Sequence, residues 1–202
     1  MTTETSLTTE HISTLQLPFY RFTVDEYHRL GEAGILTEDH GLELLEGCIV
    51  QKMNLNPPHS VSVKLCDSHI GSLLPTGWHT RVQDAVETDD SEPEPDLAVV
   101  RGSIRDYAKR HPGPSEIALL IEVSDSSVRR DRYKCKIYGR AGVPYYWIVN
   151  LVDRQVEVYS EPTGPDATPG YRRRDDRGPQ DDVPLVIDGR EIARIVASEL
   201  FA

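Results

Sequence analysis

The residues of this chain best suited to chemistry are two carboxylates and a lysine: Asp96, Glu122 and Lys134. Glu122 interrupts Ile117–Val123, a seven-residue run that is otherwise apolar and rich in branched side chains. That composition predicts a central strand covered on both faces. A carboxylate in such a strand calls for a cationic partner, because stripping its water is costly. Asp96 opens a second apolar stretch, Leu97-Ala-Val-Val100. If the two strands pair antiparallel, the start of one lies beside the end of the other, and Asp96 falls next to Glu122. Adjacent carboxylates repel unless they share a proton or a cation. Oxygen ligands with open water positions suit Mg²⁺ or Mn²⁺, so one reading is a divalent metal at Asp96 and Glu122. The other is a loop cap at Asp96 and an arginine partner for Glu122.

The following helix carries a candidate cation. It is expected from about Asp131 to Ala141, stopped by Gly142 with Pro144 just beyond. Successive helical residues turn by about 100°. Tyr133, Ile137, Tyr138 and Ala141 then form the inward stripe, and Lys134 falls within it. Arg132, Lys136 and Arg140 point the other way. Lys134 is therefore the base aimed at the sheet, or else it snorkels from the stripe's edge. Cys135 points away from the stripe and takes no role.

Further elements read in order. Thr23-Val-Asp-Glu26 has capping-box spacing and predicts a short helix ending near Gly31 or Gly34. Leu42–Glu46 and Cys48–Met53 read as a hairpin turning at Glu46-Gly47. Pro57-Pro58 starts a helix that runs from His59 to Leu74. A strand is expected over Gly77–Glu87, then an acidic loop over Asp89–Pro95, then a loop at 102–116 with one turn at Ile104–Lys109. Tyr145–Val149 and Gln155–Tyr159 read as two strands, residues 161–182 as a long surface loop, and Val183–Ile187 as a last strand before a short element. Residues 1 to about 18 are read as a disordered tail and 19–202 as one domain. The fold class is α/β, an α+β arrangement with a mixed sheet.

Bulk composition narrows the function. The net charge is −11, and it is uneven. Residues 1–100 hold 5 Lys+Arg against 17 Asp+Glu, whereas residues 101–202 hold 17 against 16. Such an acidic chain binds nucleic acid poorly unless a local basic patch serves. No apolar run approaches the ~18 residues of a membrane helix, so no membrane partner is expected. The N-terminal stretch lacks a basic start and an apolar core, so no secretory signal is expected. Cys48, Cys66 and Cys135 are odd in number and show no CxxC spacing, which points to reduced thiols and a cytoplasmic setting.

Several segments together resemble a known family. They are Leu42-Glu-Leu-Leu-Glu-Gly47, His59, Glu94-Pro-Asp96-Leu-Ala-Val-Val, Glu122-Val-Ser-Asp-Ser-Ser, Asp131-Arg and Tyr138-Gly-Arg-Ala-Gly-Val-Pro-Tyr-Tyr-Trp-Ile-Val. In order and spacing over about residues 20–160 they resemble the bacterial Uma-two family, restriction-endonuclease-like proteins of the PD-(D/E)XK nuclease superfamily. The resemblance implies a central mixed sheet flanked by helices. It implies that Asp96 and Glu122 bind Mg²⁺ (or Mn²⁺), that Lys134 orients the attacking water, and that Glu43 adds a further carboxylate. Three departures stand out. Ser124 occupies the place of the lysine expected two residues after the glutamate. Lys134 matches when counted from Tyr138 but not from Glu122. Tyr145 and Asn150 stand where the family often has Glu and Asp.

His59 reads either as a phosphate or substrate contact or as a helix-start residue bonding a loop. Arg129, Arg130 and Arg132, with Arg172-Arg-Arg174, would supply cations for a phosphate backbone, or form a solvated face. The resulting expectation is a Mg²⁺-dependent endonuclease acting on DNA through weak, salt-sensitive binding, with room for a homodimer. The alternative is a non-catalytic dimeric binding module that keeps the nuclease fold.

Overall fold

The structure, a computed structural model, describes residues 18–52 and 56–202. The expected N-terminal tail before Pro18, and the end of the hairpin reading at Met53, lie outside the described residues. In chain order the elements are α1 (Val24–Glu32), β1 (Leu42–Leu45), β2 (Cys48–Gln51), α2 (Pro57–Leu73), β3 (Trp78–Val82) and β4 (Leu97–Arg101). They continue with β5 (Ile117–Ser124), α3 (Val128–Ala141), β6 (Tyr145–Asn150), β7 (Gln155–Pro162), β8 (Tyr171–Arg177), β9 (Asp182–Ile187) and β10 (Arg190–Val196).

Six strands form one mixed sheet in the order β3-β4-β5-β6-β7-β8. Every pair is antiparallel except β5 with β6, which run parallel across the α3 connection. All eight residues of β5 are buried, as a strand covered on both faces requires. Leu119, Ile121 and Val123 pack on one side with Val63, Cys66 and Ile70 of α2 and Leu185 of β9. Leu120 packs on the other side with Ile137 and Tyr138 of α3 and Leu45 of β1. Alternation along β5 then turns Glu122 and Ser124 toward α3 as well.

Local chemistry sets the ends of the flanking elements. Thr23 and Glu26 close a capping box on α1, and the Asn56 side chain caps α2 ahead of Pro57. The β1–β2 turn has Glu46 at φ 48° and Gly47 at φ 74°, suited to a two-residue hairpin. A Cβ at Gly47 would lie 2.8 Å from the Arg21 Cβ. Gly142 ends α3 in the left-handed region.

Four expectations need correction. The strand expected over 77–87 is only β3, because the acidic and polar residues after Val82 leave the ladder. The stretch 161–182 is not all loop, since β8 runs through Tyr171–Arg177. Its charges mark it as a protected sheet edge, not as a turn region. After β9 the chain folds back as β10 around Asp188-Gly189, both at positive φ. On α3 the inward stripe is Asp131, Lys134, Ile137 and Tyr138, whereas Tyr133 is 41% exposed. Its hydroxyl donates to Glu46 at the hairpin turn instead.

Candidate active site

β4 and β5 pair with Leu97 opposite Ile121. The next step of that register sets Asp96 against Glu122. Both are buried, at 7% and 5% exposure. Asp96 sits just ahead of its strand and serves both sides of the sheet end. Its Oδ2 accepts the Val123 N–H at 2.8 Å and His59 Nε2 at 3.0 Å. Among the described residues its Oδ1 accepts only a long bond from Gln83 Nε2, at 3.3 Å. His59 comes from the first turn of α2, and its Nδ1 is buried with no hydrogen-bond partner among the described residues.

Glu122 Oε1 accepts the Lys134 ammonium at 2.8 Å and the Tyr138 hydroxyl at 3.2 Å. Lys134 and Tyr138 stand one helical turn apart on α3, so one face of the helix delivers both donors. Lys134 Nζ also lies 3.2 Å from Glu43 Oε2. Glu43 comes from β1, is 2% exposed, accepts the Glu94 N–H at 3.1 Å and binds the Arg130 guanidinium. Asp131, in the first turn of α3, accepts hydrogen bonds from the Ser124 and Ser127 hydroxyls.

Charge in the site is unbalanced. Burial pushes the Glu122 carboxyl well above the usual carboxylate range; Lys134 opposes the rise, and Asp131, Asp96 and Glu43 add to it. Burial also raises Asp131, against the pull of Lys134 and the two serines. For Lys134 burial acts to lower the pKa, but Glu122, then Glu43 and Asp131, hold it above its ordinary value. It therefore stays an ammonium. For His59 burial again acts downward, and the hydrogen bond and charge of Asp96 outweigh it.

These groups face one cavity of 340 Å³. It gathers Asp96, Glu122, Lys134, Glu43, His59 and Arg130. Arg129 is exposed and outside it. Arg172 is exposed, and three other expected phosphate-binding arginines stand elsewhere, on internal partners. Arg132 and Arg174 bind Glu157, Arg174 also binds Asp176, and Arg173 binds Asp175. The run Arg172–Arg174 lies on edge strand β8, not in a loop. The Asn150 amide donates to the same Glu157.

Lys52, Asp131 and Glu94 also line the cavity, and sequence reasoning gave none of them a role. Asp131 reads as an ordinary acidic residue at a helix start; the pattern Ser124, Ser127, Asp131 was the available signal. Lys52 follows β2, and the Leu42–Gln51 register of the hairpin brings it beside the strand that carries Glu43.

The carboxylates of the cavity offer oxygen donors, beside the imidazole of His59. Among the described residues, no three of Glu43, Asp96, Glu122 and Asp131 bring ligand atoms within 4.8 Å of one another. Mg²⁺ is commonly held by one or two carboxylates with its other positions on water or phosphate.

A family model for Uma2, described as "Putative restriction endonuclease", matches residues 24–193. Among solved structures, a protein from Anabaena variabilis ATCC 29413, described as "a putative nuclease belonging to DUF820", is similar at TM-score 0.65 and 21% identity, over 89% of this chain and 97% of that one. At that identity the likeness establishes the fold. No curated protein matches.

Proposed function

The chain belongs to the Uma2 family, and on that premise we propose that it is a Mg²⁺- or Mn²⁺-dependent endonuclease hydrolysing DNA phosphodiester bonds. The observation that carries this reading is the meeting of Asp96, Glu122 and Lys134 at one sheet end, with the ammonium 2.8 Å from Glu122.

Asp96 and Glu122 are the metal ligands in this reading. Bound there, the dication supplies charge neutralisation at a phosphate and acidifies water beside it. The Val123 N–H and His59 fix the Oδ2 of Asp96, leaving Oδ1 weakly engaged and directed to the cavity side where Gln83 stands. Lys134 cannot act as a base while it remains an ammonium; it donates a hydrogen bond, and so orients a nucleophilic water or steadies charge on the phosphoryl oxygens. Glu43 is a second carboxylate beside the Lys134 ammonium, and it would hold the ammonium if Glu122 engaged a metal.

A second reading, a binding module that keeps the fold without cutting, draws support from the arginines. Arg130, Arg132, Arg173 and Arg174 are all engaged by carboxylates of the chain itself. Calorimetric titration of metal-stripped protein with Mg²⁺ tests the site. Asp96→Asn should weaken binding by at least about tenfold, as loss of a ligand costs no less than loss of an outer partner. Equal affinity in wild type and variant rejects the assignment.

A further inference from the structure

The Lys52–Glu94 ion pair lines the cavity described above and also a second, larger one. This second cavity, of 710 Å³, lies between α1, the 84–96 segment and the 102–116 loop. Within it His28, Glu87 and Glu92 bring one ligand atom each within 4.8 Å of one another. Separate backbone anchors hold the three in place. His28 is on α1. Glu92 exchanges backbone hydrogen bonds with Leu44 of β1, at 2.8 and 3.3 Å, and the Glu87 N–H donates to the Pro112 carbonyl at 3.0 Å.

Charge and hydrogen bonding there are incomplete. Glu92 is 7% exposed, and its one side-chain partner among the described residues is the His28 imidazole. A carboxylate buried to that degree needs a cation or several donors. The partly buried Glu87 carboxylate takes no hydrogen bond or ion pair among the described residues. His111 lines the same cavity with its ring centre 6.4 Å from that of His28. Its Nδ1 is buried and likewise lacks a partner among the described residues.

We propose that His28, Glu87 and Glu92 form a binding site for a transition-metal dication of the Zn²⁺ type, with the fourth position left to water or an outside ligand. Imidazole mixed with carboxylate suits Zn²⁺, whereas Mg²⁺ takes oxygen alone. The site is distinct in chemistry from the oxygen donors around Asp96, and it does not depend on the nuclease reading. It ties α1 to the segment that carries Glu94 and Asp96, two and four residues beyond Glu92. Occupancy therefore clips the chain entering the carboxylate pair, and it stabilises the folded state because the unfolded chain has no such site.

The test is titration of the metal-stripped full chain with Zn²⁺, read by calorimetry and by thermal unfolding. The Asp96→Asn/Glu122→Gln variant, which removes the carboxylate pair, should take up one equivalent with a rise in Tm, and wild type at least one. Glu87→Gln, at a partly buried position without a described side-chain partner, should fold normally and bind at least about tenfold more weakly. His28→Ala/Glu87→Gln should bind none at this site and show no rise in Tm. Failure of wild type to bind Zn²⁺, or equal affinity in wild type and Glu87→Gln, would overturn the proposal. So would loss of the equivalent in Asp96→Asn/Glu122→Gln with retention in His28→Ala/Glu87→Gln.

Discussion

Lys134 is 3% exposed and held between Glu122 at 2.8 Å and Glu43 at 3.2 Å. Truncating it would leave two buried carboxylates without their ammonium. Breaking a buried pair in this way costs about 3–5 kcal/mol, so Lys134→Ala should lower stability by that order. Lys136 is exposed, with its ammonium 4.9 Å from the Tyr133 ring centre, and Lys136→Ala should change stability by no more than about 0.5 kcal/mol. Urea unfolding of both variants beside wild type checks the contrast; equal losses would contradict it. Helical period places Lys134 within the inward stripe or at its edge, and the two apolar runs set Asp96 beside Glu122 once they pair antiparallel, as they do. Neither signal reaches Lys52 or the burial of Asp131. Those depend on how the β1–β2 hairpin docks and on serine hydroxyls brought in from β5 and the start of α3, and both are tertiary effects.

Among the elements, β5 and α3 were the most legible. β5 is apolar on both faces, and α3 has a clear stop at Gly142. β8 was hidden, because Tyr-Arg-Arg-Arg-Asp-Asp-Arg lacks apolar alternation, and its pairing with β7 decides its structure. The packing of α3 against the approach to β8 also left no sequence signal. Gly139 lies so close to Gly170 that an added Cβ would sit 2.1 Å from the Gly170 carbonyl oxygen. Because that neighbour is backbone, α3 or the 163–170 segment must move. Gly139→Ala should therefore destabilise by about 1–3 kcal/mol despite the better helix propensity of alanine. An unchanged or raised urea midpoint would show that the two segments separate freely.

At the scale of the whole molecule, a net charge of −11 sets the terms for any encounter with DNA. The arginines expected to offset it largely serve the fold: Arg132 joins α3 to β7, and Arg174 joins β8 to β7. Arg129 and Arg172 are both exposed, and Arg129 stands near the start of α3, the helix that carries Lys134. Each neutralised phosphate contributes about −0.9 to the slope of log affinity against log salt. Arg129→Ala should thus make the slope shallower by about one unit without altering base preference, and fluorescence anisotropy over a salt series reads it. An unchanged slope would remove Arg129 from the interface. The central claim is cleavage itself, and plasmid nicking at low salt tests it most directly. Wild type, Asp96→Asn and Glu122→Gln are compared with Mg²⁺, with Mn²⁺ and with chelator. Wild type should convert supercoiled plasmid only when divalent metal is present, with both variants at background. Equal residual background in wild type and both variants, in either metal, would contradict it and leave the non-cutting binding module in its place.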